Sequence, residues 1–449
     1  MQVASHGSQY ESAPLRSRDS HAKVLKTLAL NLLAIVHTHL TELLQRLASA
    51  RPDLPRMKKV EFCFFDAGGG HRAAATALEL AIQAQNLPWT VQLTNLQELL
   101  DELDILKKYA GIRIEDYYNW MLRSGWTLGS VYLMKVLQFA IRARHGATVR
   151  LLANHWRKTG PDLVVSFVPH FNRALCESLV AAYPGRPFLT ILTDLADFPP
   201  HFWIERQQQY LVCGSDRAVA QARAAGHIDD RVFRASGMIL HPRFYEPQCE
   251  DRISGRARLG LRPDLPTALI LFGGYGSKAM LDIAAALDRS HLDLQLIFIC
   301  GRNEKLAETL RTQKSRLPRF VEGFTANVNR YMHLADFFIG KPGPGSVSEA
   351  MQMKLPVIVE CNAWTLPQER YNTTWVQENE VGTVLRSFRG IERAVAQIIE
   401  PPTLARYRAN VAALNNQAVF EIPGVLNQIL ERTDSAVAAD RAPSTMRRK

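Results

Sequence analysis

Apolar residues in this chain come in short strand-like runs, and most runs are followed by a stretch with helical spacing. One series of runs covers 60–65, 91–93, 163–167, 188–193, 210–212 and 232–235. A second covers 269–272, 296–300, 320–321, 337–339, 357–359 and 382–385. Strands rich in Val, Ile and Phe, separated by helical stretches, predict parallel sheets covered on both faces. Two series predict an α/β protein with two doubly wound, Rossmann-like domains. The apolar rhythm stops and prolines appear near His241–Pro247, so the domains are read as 51–247 and 248–402. Terminal helices over 403–433 are expected to return to the first domain, followed by a disordered tail over 434–449.

Residues 1–50 combine a polar start with an amphipathic helix over 23–50. Its uncharged run is shorter than the roughly 20 residues a membrane span needs, so a packed or interfacial helix is expected.

Glycine-rich turns follow several of these runs. The stretch 340–351 (GKPGPGSVSEAM) reads as a strand end, a turn and a helix start, with Ser346 as N-cap and Glu349 closing a capping box. Unpaired backbone N–H groups and the positive end of a helix suit an anion or a nucleotide. The first strand leads into 66–75 (DAGGGHRAAA), where Gly69 and Gly70 precede His71. No Gly-Lys-Ser/Thr follows, which excludes a Walker loop, and His71 with Asp66 reads as a base and its assisting carboxylate. A similar turn, 273–278 (GGYGSK), opens the second domain. Each turn alone is a weak signal, but one at the head of each domain is a stronger one.

Composition changes the picture only through charge. The chain has 449 residues, 47% apolar and 22% charged, with a net charge of +11. Ten lysines and arginines lie between Lys107 and Lys158 against only Glu115 and Asp116. The same segment holds Tyr117, Tyr118, Trp120, Trp126, Tyr132, Phe139 and Trp156. Aromatic and basic residues together favour an anionic membrane surface, and no nucleic-acid-binding motif accompanies them. The bland alternative is helices with aromatic cores and solvated charges. The cysteines at 63, 176, 213, 249, 300 and 361 show no metal or redox spacing, so reduced thiols in the cytoplasm are expected.

Together, the motifs at 66–72, 193–195, 273–276, 299–303, 323–324, 341–345, 348–350 and 368–372 resemble one glycosyltransferase family. It holds the monogalactosyldiacylglycerol synthases, the diacylglycerol glucosyltransferases and, more distantly, the peptidoglycan transferase MurG. The resemblance spans about 60–399 and implies the GT-B architecture, in which two Rossmann-like domains face a cleft. It implies transfer of galactose or glucose from a UDP-sugar to diacylglycerol with inversion, with His71 and Asp66 as catalytic residues and no metal. Donor binding would fall to Gly273, Gly274, Gly276, Ser277, Arg302, Gly323, Phe324, Gly343, Gly345, Ser346 and Glu349. Gln368, Glu369 and Asn372 would read the sugar hydroxyls, and Gly69, Gly70, Asp194 and Pro200 would lie on the acceptor side. The implied partners are a UDP-sugar, diacylglycerol and an anionic membrane surface, with no nucleic acid, and the implied place is cytoplasmic and peripheral to the membrane. Two positions depart from the family pattern: Ala67 replaces a usual Thr, and His201 comes two residues later than the His that often follows Thr193-Asp-Leu. The alternatives are N-acetylglucosamine transfer to a lipid-linked acceptor, a UDP-N-acetylglucosamine 2-epimerase, and a non-enzymatic sensor or lipid-binding partner.

Overall fold

A computed structural model describes residues 57–66, 69–101, 138–139 and 141–441. The predicted helix over 23–50, most of the aromatic and basic segment, and residues 442–449 lie outside the described residues. The twelve predicted strands are all present and all parallel. The first sheet contains β1 (Lys58–Phe64), β2 (Trp89–Asn95), β3 (Leu163–Ser166), β4 (Phe188–Ile191), β5 (Tyr210–Cys213) and β6 (Val232–Arg234). The second contains β7 (Thr267–Leu271), β8 (Gln295–Ile299), β9 (Arg319–Glu322), β10 (Phe337–Gly340), β11 (Val357–Glu360) and β12 (Gly382–Leu385). Their orders are β2-β1-β3-β4-β5-β6 and β12-β11-β10-β7-β8-β9. These are two doubly wound Rossmann-like folds.

The central strands of each sheet are buried on both faces, which is why they read as apolar runs, while β2, β6, β9 and β12 are partly exposed. Phe62, Leu163, Val165 and Leu189 face the helices Gly70–Ala84 and Ala418–Arg441. Cys63, Val164 and Phe188 face Leu152, Trp156, Leu175 and Leu179 on the opposite side. The second sheet is sandwiched in the same manner, with Ile283, Leu310 and Val395 on one side and Met332, Val347 and Met351 on the other.

The connection order places a switch point in each sheet. In the first, β1 leads outward to β2 while β3 leads the opposite way to β4, leaving a crevice beyond the C-terminal ends of β1 and β3. In the second, the crevice lies beyond β7 and β10. Ligands of open α/β sheets bind in such crevices, and the glycine turns occupy them.

The helix Pro401–Ala413 stays with the second sheet, where Arg408 joins Arg252 and Arg256 around Asp336, each at 2.7 Å. The chain then returns to the first sheet through Asn416, whose side-chain amide donates to the Met238 carbonyl at 2.8 Å. The helix Ala418–Arg441 lays Ile422, Leu426 and Ile429 on the first sheet's core. It replaces the expected disorder over residues 434–441 with helix. The helix continues to Arg441, and Asp434 accepts from Lys58 at 2.6 Å. Trp156 is also corrected. It is fully buried, donating to Ser178 Oγ at 2.8 Å, and presents no ring to a membrane. No described helix is long and apolar enough to cross a membrane.

Candidate active site

The crevices of both sheets open into one cleft of about 2180 Å³. Pockets for a single small molecule usually hold about 300–1,000 Å³, so there is room for two substrates together. On the first sheet's side the lining includes Gly69, Gly70, His71, Pro169, His170 and Asp194. On the second it includes Gly273–Ser277, Arg302, Phe324, Lys341, Gly343–Ser346, Glu349, Gln368 and Glu369.

His71 is carried into the cleft by the first turn of the helix Gly70–Ala84, which begins after Gly69 turns through φ +79°. Its Nδ1 lies 3.0 Å from Thr193 Oγ1, and its ring leans on Trp203 at 5.8 Å between centroids. Burial pulls its pKa down to about 4, against a smaller opposing pull from the Phe167 carbonyl. The imidazole is therefore neutral at physiological pH and able to take a proton. The expected partnership with Asp66 is not formed. Asp66 instead makes a bidentate ion pair with Arg72 and a long contact with Asn95 Nδ2, at 3.5 Å. A guanidinium one position along the same helix turn outcompetes a neutral imidazole for the carboxylate.

Asp194 follows β4, is buried, and accepts from Trp203 Nε1 at 2.9 Å. Burial raises its pKa to about 7, and the nearby charges of Glu369 and Asp197 push in the same direction. Asp194 thus lies within electrostatic reach of a carboxylate from the other sheet. Pro200 is exposed and does not line the cleft, which removes it from the acceptor side.

On the second sheet, β7 ends in a glycine turn with Gly273 at φ +72° and Gly276 at φ +61°. A side chain at Gly276 would collide with Leu306 at 2.7 Å and the Cys300 carbonyl at 3.0 Å, so glycine is required by both conformation and space. A Cβ at Gly274 or Gly345 would meet nothing, leaving the backbone there bare toward the cleft. Ser277 Oγ accepts from the Ala279 amide at 3.3 Å and keeps its own proton to donate. Arg302 and Phe324 come from the ends of β8 and β9, with the guanidinium 4.5 Å above the ring. Phe324 is 57% exposed, a flat platform beside a cation. Gly323 lies off the cleft, and its amide is taken by Glu322 Oε1 at 2.9 Å, so it is not free to meet a base.

The helix after β10 begins three positions earlier than the sequence suggested. Gly343 is the N-cap and Pro344 the first residue, so Ser346 and Glu349 form no capping box. Proline's fixed φ suits that first position. Glu349 is left one and a half turns inside the helix, facing the cleft, and its carboxylate makes no hydrogen bond with a described residue. Burial raises its pKa to about 7, opposed by the charge of Arg243.

Two residues of the 368–372 motif meet the cleft and one does not. Gln368 and Glu369 line it, and Glu369 Oε1 is 3.3 Å from Lys341 Nζ. Asn372 is fully buried and donates to the Pro342 carbonyl at 2.7 Å, bracing the turn that carries Lys341. It positions the site rather than reading a sugar. Asn372→Ala would strand that carbonyl, so thermal unfolding should report a loss of about 1–3 kcal/mol. Lys341 itself escaped sequence reasoning. It is the one lysine of its glycine turn, and it lies against Gly273, with Cε 3.4 Å from where a Cβ would stand.

Residues 269–382 match the model of the glycosyltransferase family 28 C-terminal domain. The chain is 26% identical over 411 residues to monogalactosyldiacylglycerol synthase 1 of Arabidopsis thaliana, covering 85% of this chain and 72% of that one. It is 27% identical over 408 residues to the monogalactosyldiacylglycerol synthase of Spinacia oleracea, covering 86% and 74%. Residues 269–382 thus match the C-terminal domain of that family, and the chain as a whole is similar to monogalactosyldiacylglycerol synthases. Among solved structures it is similar to Acinetobacter baumannii MurG, with a TM-score of 0.52 and 13% identity over 83% of this chain and 99% of that one. The calicheamicin glycosyltransferase CalG4 is similar too, at a TM-score of 0.53 and 14% identity over 84% and 99%. At that identity both support the GT-B fold alone.

Proposed function

We propose that this enzyme moves a hexose, galactose or glucose, from a UDP-sugar to diacylglycerol, inverting the anomeric carbon and using no metal. The observation that carries the reading is a single cleft with a neutral imidazole on one wall and an anion-binding constellation on the other. The relatives named above are synthases of monogalactosyldiacylglycerol, which is why diacylglycerol is the acceptor proposed.

In this reading Glu349 accepts hydrogen bonds from the two ribose hydroxyls. The Arg302–Phe324 pair flanks the base. The bare backbone of Gly274 and Gly345, the Ser277 hydroxyl and the first turn of the helix Pro344–Gln352 receive the diphosphate. Lys341 places its ammonium beside that turn, where negative charge grows as UDP departs. Gln368 and Glu369 meet the sugar hydroxyls. His71 takes the proton from the acceptor hydroxyl as it attacks the face opposite UDP.

Phe139 is 73% exposed and lines the cleft on the first sheet's side together with Ile141 and Arg144. An apolar ring beside a cation suits a lip resting on an anionic leaflet through which a lipid enters. The reading places the enzyme on the cytoplasmic face of a membrane as a peripheral protein.

A transfer assay in mixed micelles of diacylglycerol and an anionic phospholipid tests the reading. Labelled UDP-galactose, UDP-glucose and UDP-N-acetylglucosamine are offered separately, with and without EDTA. Label is expected in diacylglycerol from one hexose donor, undiminished by EDTA. UDP binding with no lipid label from any donor would overturn it.

A further inference from the structure

One cleft residue outside the roles above combines a left-handed backbone with an unpaired ring nitrogen. His170 follows β3, at the switch point of the first sheet, and lines the cleft. Its backbone stands at φ +66°, the left-handed region, which is uncommon for residues other than glycine. Its Nε2 is buried without a hydrogen-bond partner among the described residues. An unpaired buried polar atom and a strained backbone at one cleft residue point to a ligand.

The rings around it show where that ligand lies. His170 packs edge-on against Phe202 at 4.4 Å, Phe202 against Trp203 at 5.8 Å, and Trp203 against His71 at 5.8 Å. His170, Phe202 and His71 line one wall of the acceptor side, with an imidazole at each end, and the fully buried Trp203 backs it. A long acceptor lying on that wall with its hydroxyl at His71 brings its next polar group toward His170. In a diacylglycerol that group is an ester carbonyl, which can only accept a hydrogen bond.

We propose that His170 binds the acceptor, its imidazole donating a hydrogen bond to an ester carbonyl near the hydroxyl that receives the sugar. The inference rests on the diacylglycerol reading given above. Burial lowers the pKa of His170 to about 4, so the ring is neutral at pH 7, with one N–H to donate.

The experiment compares diacylglycerol with a dialkylglycerol ether analogue, which keeps the hydroxyl and lacks both carbonyls. Each is assayed with wild type, His170→Ala and His170→Gly. Glycine tolerates the left-handed backbone and carries no side-chain donor, so it separates a contact with the acceptor from support of the fold. Wild type should favour the ester roughly three- to tenfold in KM, about the worth of one hydrogen bond. Both variants should lose that preference, with KM for the ester rising, kcat changing less, and UDP affinity unchanged. An ester-to-ether ratio as large in the variants as in wild type would overturn the proposal and leave the functional reading standing. Wild type inactive on both lipids would overturn the functional reading itself, and the ester contact with it.

Discussion

His71→Ala should lower the transfer rate by about 10²- to 10⁴-fold, the usual worth of a positioned general base, while UDP affinity stays within about twofold of wild type. The two readouts separate because the imidazole belongs to the first sheet's wall and the nucleotide constellation belongs to the second. Steady-state transfer and UDP titration by calorimetry measure them independently. A base acts in its deprotonated form, so activity that depends on His71 falls as pH drops through its pKa. That pKa is about 4 in the free protein, so His71 alone would set no loss of kcat/KM between pH 5 and 8. Asp66→Asn should cost far less, under about tenfold. Asp66 is paired with Arg72 at a half-exposed site, and such pairs contribute about 0–1 kcal/mol. An Asp66 variant as damaged as His71→Ala would show that the pair rearranges around substrate.

That contrast marks where sequence reasoning reaches and where it stops. The central strands were legible because a parallel sheet buried on both faces leaves an apolar run whatever its neighbours are, and the edge strands β2, β6 and β9 kept a shorter apolar stretch of their own. The glycine turns were legible because a bare backbone at the end of such a run has few other uses. Side-chain partnerships were not. Asp66 and His71 sit five positions apart, but Arg72 lies nearer to the carboxylate in space. Ser346 to Glu349 spells a capping box, yet Pro344 starts the helix first and turns Glu349 from cap to cleft residue. Asn372 follows Glu369 by three positions and still points inward, because the Pro342 carbonyl needs a donor there. His170 left no trace, since a positive φ and an unpaired nitrogen are products of tertiary packing. Lys341 could have been found, as a lysine fixed in a glycine turn at a sheet's switch point.

Glu349→Gln should weaken UDP-sugar binding by about 10- to 100-fold, because hydrogen bonds to a charged group are worth about 1.5–3 kcal/mol. The carboxylate must be ionised to accept from both ribose hydroxyls, and its pKa in the free protein is about 7. Donor affinity in wild type should therefore fall as pH drops below about 7, approaching tenfold per unit, and the Gln variant should show no such slope. Titrating UDP from pH 5.5 to 8.5 checks both, and a slope unchanged in the variant would remove Glu349 from the ribose. The same shift predicts the opposite sign for stability. The folded protein holds this proton more tightly than the unfolded chain does, because folding raises the pKa above its ordinary value of 4.5. The free protein is favoured below the ordinary value and loses that contribution as pH rises to about 7. At pH 8 the neutral Gln side chain escapes the cost of a buried charge, so Tm of the unliganded variant should exceed wild type by about 1–3 °C. At pH 4.5 the difference should nearly vanish. UDP should reverse the order at pH 8, since only the carboxylate gains the ribose contacts that offset its own burial. A residue that destabilises the empty protein and is rewarded only by nucleotide is maintained for binding, which is the role the cleft assigns to Glu349.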